Sequence, residues 1–98
     1  MTQKFKVDIT TMSNFKAFND PAHGWIKVPK ALLEVLGIAD KITPYSYMNG
    51  GFAYLEEDCD ATLFVKVFEE KNGKKPKFTD HYCNGRSRIR QFESYRKN

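Results

Sequence analysis

Hydrophobic and polar positions alternate at the start of the chain, where Phe5, Val7 and Ile9 point one way and Lys4, Lys6, Asp8 and Thr10 the other. This period of two predicts a half-buried strand over residues 4–10. The next stretch, SNFKAFNDPAHG, is rich in turn formers and reads as a loop pinned by Phe15 and Phe18 and closed by His23, Gly24 and Trp25. Pro29 suits a first helical position, Ala31, Leu32, Leu33, Val35 and Leu36 follow, and Gly37 supplies a stop, so a helix is expected over 29–36.

Residues 42–60, ITPYSYMNGGFAYLEEDCD, have the strongest local signal. Asn49-Gly50 lies between two runs rich in aromatic residues, which predicts a hairpin with a type I′ turn. Met48 would then pair with Gly51, and Tyr45, Tyr47, Phe52 and Tyr54 would share one face. Ser46, Met48, Ala53 and Leu55 would share the other. Sliding the loop to Gly50-Gly51 changes the register but keeps these two sets apart. After the hairpin, Asp58 or Asp60 can cap a helix starting near Ala61, whose buried stripe is Leu63, Phe64, Val67 and Phe68 and whose end is Asn72-Gly73. KFTDHYCN reads as a strand and RSRIRQFESY as an extended segment, with Asn84-Gly85 as a second hairpin turn between them.

The resulting order is β-α-β-β-α-β, with room for one further strand. It predicts a single α+β domain in which two helices cover one face of an antiparallel sheet, the ferredoxin-like succession. A chain of 98 residues supports one such core and no second.

Charge changes the picture more by its distribution than by its sum of +4. Through Glu70 the chain has seven lysines against ten acids; from Lys71 onward nine Lys and Arg face only Asp80 and Glu93. An acidic knot at Glu56, Glu57, Asp58 and Asp60 therefore stands apart from a basic last quarter, an asymmetry that suits a charged partner. Arg86, Arg88 and Arg90 recur at period two, which on a strand would line three guanidinium groups along one edge, ready for phosphate or carboxylate. A solvated row is the plain alternative. The tyrosines are likewise open to two readings. If the helices cover the Ser46 face, Tyr45, Tyr47 and Tyr54 form a platform for stacking unpaired bases; otherwise they are core.

Candidate chemistry is sparse. His23, Cys59, His81 and Cys83 lack the paired spacing of zinc sites, so no metal or other cofactor is expected. Cys59 lies among acids, a poor setting for a nucleophilic thiolate, and Cys83 with His81 two positions away is no catalytic signature. The two thiols are expected to be free. No enzymatic activity, no membrane span and a cytosolic location follow from this inventory. No motif specifies an oligomeric state.

HGWIKVP at 23–29, PYSYMNGGFAYLEEDCDA at 44–61 and SRIRQFESY at 87–95 together resemble a family of short proteins encoded by bacteriophages and conjugative plasmids. The likeness covers most of the chain and brings no catalytic residues with it. It implies a mobile-element accessory protein in the host cytoplasm that binds a host protein or complex stoichiometrically, such as a restriction or CRISPR defence system. On that reading the acidic knot and the Arg row are the contact surfaces. The alternative is a single-stranded nucleic-acid binder using Arg86, Arg88 and Arg90 for phosphates and Tyr45, Tyr47 and Tyr54 for bases.

Overall fold

In the computed structural model, which describes residues 14–97, the chain order is β1 (Asn14–Asn19), β2 (Gly24–Pro29), α1 (Lys30–Val35), β3 (Tyr47–Asn49), β4 (Phe52–Glu56), α2 (Asp60–Asn72), β5 (Lys77–Tyr82) and β6 (Glu93–Ser94). Short 3₁₀ turns at Ala39–Lys41 and Arg88–Gln91 complete it. The six strands form one sheet in the order β5-β1-β2-β4-β3-β6. All neighbours are antiparallel except β1 and β5, which run parallel, so the sheet is mixed rather than antiparallel throughout. The β-α-β-β-α-β succession runs from β2 to β5, and β1 is inserted between those two strands in the sheet. The alternating segment at Phe5, Val7 and Ile9 lies outside the described residues.

Both helices pack on one face. Leu32, Leu33 and Leu36 from α1 and its end, with Phe64 and Phe68 from α2, bury Phe15, Ile26, Val28, Met48, Ala53 and Leu55 of the sheet. Phe15 meets Phe64 and Phe68 edge-on at 5.3 and 5.6 Å, the arrangement that ring quadrupoles favour. Of the expected α2 stripe, Phe64 and Phe68 are fully buried, and Leu63 and Val67 flank them partly buried. Each helix ends at a glycine in the left-handed region, Gly37 at φ +76° and Gly73 at φ +81°. Pro29 ends β2 in extended conformation and precedes α1 rather than opening it.

Residues 14–19 form a strand, not the expected loop. In NFKAFN, Phe15 and Ala17 face the helices while Lys16 and Phe18 face away, and the polar ends suit a short element between turns. The hairpin turn falls on Gly50-Gly51, with Asn49 opposite Phe52, Met48 opposite Ala53 and Tyr47 opposite Tyr54. Only Gly50, at φ +63°, has positive φ, the type II′ pattern instead of I′. The division of side chains between faces survives the slide. Asn84-Gly85 is not a hairpin turn: after β5 at one edge the chain crosses the sheet and reaches β6 at the other.

That crossing covers part of the second face. Ile89 and Phe92 pack on Trp25 and Tyr54, with Phe18 and Tyr47 beside them. Tyr95 then dips into the main core, donating its hydroxyl to the Ala39 carbonyl at 2.6 Å and its amide to the Ser46 carbonyl at 2.8 Å.

Candidate functional site

The face of the sheet opposite the helices divides into a strapped half and a bare half. Its rows follow from the strand register: Thr79, Lys16, Lys27, Tyr54 and Tyr47 run side by side across five strands, and His81, Phe18, Trp25 and Glu56 form the next row. Residues 86–92 lie over Phe18 and Trp25 of the second row and the Tyr54-Tyr47 end of the first.

Asp20, in the turn after β1, fastens this strap. It is 6 % exposed and accepts from the amides of Ala22 and His23 in its own turn, from the Ser87 amide at 3.0 Å, and from Arg90 through Nε at 2.9 Å and Nη2 at 3.1 Å. The Arg90 guanidinium holds the Asp20 carboxyl well below the usual carboxylate range, helped by the amides of Ser87, His23 and Ala22 and opposed by desolvation. Asp20 in turn raises the Arg90 pKa. The same guanidinium lies 5.5 Å over the Trp25 ring. Arg90 is therefore spent on the protein's own structure.

On this side two hollows flank the lysine row. The larger, about 390 Å³, is lined by Phe18, Tyr54, Cys83, Arg88, Ile89 and Phe92. Phe92 and Tyr54 meet at 5.0 Å, and His81 stacks on Phe18 at 5.1 Å. Burial raises the Tyr54 pKa. The smaller hollow, about 300 Å³, is lined by Asn14, Phe15, Lys16, Lys27, Pro29 and Phe52. Lys16 and Lys27 stand directly opposite each other on neighbouring strands. Like charges placed directly opposite are destabilising. Among the described residues no carboxylate forms an ion pair with either one.

The candidates from the sequence are scattered by the fold. Arg86, Arg88 and Arg90 do not line a strand edge, because residues 88–91 coil into a 3₁₀ turn; Arg86 and Arg88 are exposed and Arg90 is turned inward to Asp20. Within the acidic knot Asp60 is buried, 2 % exposed, and accepts from the Thr43 amide at 3.0 Å, the Thr43 hydroxyl at 2.7 Å and the Ser46 hydroxyl at 2.5 Å. It is a brace between the loop before β3 and the start of α2, not a surface group. It does not cap the helix either, nor does Asp58; no side chain caps the start of α2. Glu56 turns its carboxylate to the amides of Asp58 and Cys59. Only Glu57, 3.9 Å from His23, and Asp58 remain exposed as free-standing acids of the knot.

The helices cover the Ser46, Met48, Ala53 and Leu55 face, so the tyrosines lie opposite them. Tyr54 is nonetheless buried under the strap, Tyr47 is half-buried with its ring 6.3 Å from Trp25, and Tyr45 is 79 % exposed. Phe92, Lys16 and Lys27 have no role in the sequence pattern, and Phe18 enters it only as an aromatic that pins a loop. The usable signal for the lysines was a cation between apolar neighbours, as in Phe-Lys-Ala-Phe and Ile-Lys-Val, which marks the outward position of a strand.

Both cysteines are free and exposed, Cys59 just before α2 and Cys83 just after β5. Among the described residues no group of three His, Cys, Asp or Glu side chains converges as a metal site would require. No helix there is long and apolar enough to cross a membrane. Comparison of the chain with family models, with curated proteins and with solved structures gives no match.

Proposed function

We propose that this protein binds single-stranded nucleic acid across the open face of its sheet, with Lys16 and Lys27 on the phosphates and the aromatic hollows on either side receiving bases. The observation that carries this reading is the opposed lysine pair, flanked by Phe52 on one side and by Phe18, Tyr54 and Phe92 on the other. Two lysines paired across neighbouring strands, with no carboxylate paired to either among the described residues, suit an anion that neutralises both. Aromatic faces within reach of that anion suit an unpaired strand, whose bases are free to stack. The exposed Arg88, which lines the larger hollow, and the exposed Arg86 two positions before it would extend the basic track. This departs from the sequence expectation in its residues, since Arg90 and Asp60 are internal, and it leaves the mobile-element accessory role as the setting in which such binding would operate.

Fluorescence anisotropy with a labelled oligothymidylate tests it. Affinity should fall with salt by about 0.7 in log K per phosphate contact for each tenfold rise, and the Lys16→Gln, Lys27→Gln double variant should lose about 1.4 of that slope. The variant's melting temperature should hold or rise, because the repulsion is gone. An unchanged slope would overturn the assignment. Capture of a host protein that survives nuclease, with no oligonucleotide binding, would favour the inhibitor reading instead.

A further inference from the structure

We infer that Lys27 and Phe52 form a coupled phosphate-and-base contact, in which the lysine covers the ring until a phosphate draws it away. This rests on the reading of the open face as a single-strand site and assigns its stacking residue. Lys27 Nζ lies 4.2 Å from the Phe52 ring centroid, over the ring face, and 6.0 Å from that of Tyr54. Phe52 opens β4 beside the hairpin turn, is 39 % exposed, and forms a wall of the same hollow that Lys16 and Lys27 line. A ring face occupied by an ammonium cannot also take a base.

The exchange follows from the relative strength of the two contacts. A cation on an exposed ring is weakly held, whereas an ammonium paired with a phosphate oxygen makes a charge-assisted hydrogen bond. A phosphate seated between Lys16 and Lys27 therefore pulls the Lys27 head off the ring and uncovers it. The base of the same nucleotide unit can then stack on Phe52. Phosphate and base binding assist each other through one side chain, and such coupling is reciprocal. The ligand class this selects is a phosphodiester strand with unpaired bases: phosphate alone forgoes the stacking, and a free nucleoside must displace the lysine without compensation.

Competition anisotropy with two unlabelled polymers of equal length, an oligothymidylate and its abasic counterpart, separates the contributions. The wild-type protein should prefer the base-bearing strand. Phe52→Leu, which keeps an apolar side chain of similar bulk, should weaken oligothymidylate binding about tenfold and leave abasic binding as tight as before or slightly tighter, since no ring then holds Lys27 back from the phosphate. In NMR spectra, the Lys27 ε-methylene protons should lose their ring-current shift when the abasic polymer alone is added. A Phe52→Leu variant that keeps the full preference for bases, or that loses affinity for both polymers equally, overturns the Lys27-Phe52 assignment while leaving the nucleic-acid reading intact. A wild-type protein that binds neither polymer overturns both.

Discussion

The two faces of this sheet are closed by different means. On the helix side, Phe64, Phe68, Leu32 and Leu33 are fully buried and the contact is apolar throughout. On the other side a short coil brings only Ile89 and Phe92, and its position depends on the Asp20-Arg90 pair. Burial of large apolar side chains is non-directional and closes a face wherever it reaches. An ion pair of two hydrogen bonds, joined by a third from the Ser87 amide, closes it at one point, and beyond that point the face stays open. The bare lysines begin where the strap's apolar side chains end.

The contrast can be broken most forcefully at Phe64. Truncation to alanine should cost about 3–5 kcal/mol, enough to leave a domain of this size marginal, whereas Tyr54→Ala should cost less, about 2–3 kcal/mol, because the strap can settle into the gap. Denaturant titrations of both variants measure this, and equal losses would show that the two faces are equally rigid.

Next comes the strap itself. Asp20 has its pKa lowered from an ordinary value of 3.8, so the native carboxyl binds fewer protons than the unfolded one. Its contribution is complete above about pH 5 and drains away as the pH falls through the unfolded value toward the native one. Asp20→Asn should be less stable than wild type at pH 7, with greater acrylamide quenching of Trp25, the only tryptophan, and the gap should narrow at pH 3. A difference independent of pH would mean that the pair does not hold the strap.

The smallest effect belongs to the hairpin that joins β3 to β4. Gly50→Val forces a β-branched residue to φ +63° and should cost about 1–2 kcal/mol, while Gly51→Ala, with no positive φ and no atom within 4 Å of an added Cβ, should be near neutral in thermal melts. A reversed order would mean that Gly51, not Gly50, carries the positive φ of the turn.

What the sequence disclosed were the elements whose pattern is simple. The helix of α2 could be read from Phe64, Phe68 and Gly73, the hairpin from its glycines and aromatic runs, and β5 from KFTDHY. Strands β1 and β2 were missed for opposite reasons. NFKAFN interleaves lysine with phenylalanine on its outward side, so alternation is blurred, and GWIKVP buries Trp25 on one face and Ile26 and Val28 on the other, so there is none to see. The Arg row does not line a strand edge, because its period of two is also compatible with the 3₁₀ turn that begins where Ser87 accepts from the Ile89 amide. Arg90's partner is 70 positions away, and no local pattern could have named Asp20.

That separation also sets a clock. The parallel pairing of Asn14 with Lys77, the Asp20-Arg90 bond and the bond of Tyr95 to Ala39, 56 positions apart, all close loops that span most of the described chain. Loop closure becomes only slowly more costly with length, so these contacts weaken the fold little, but they cannot nucleate it, and folding slows as contacts become more distant in sequence. During synthesis the hairpin and both helices emerge before residues 86–95 exist to cross the sheet. The aromatic face is thus bare in every nascent chain and is the last surface to be covered.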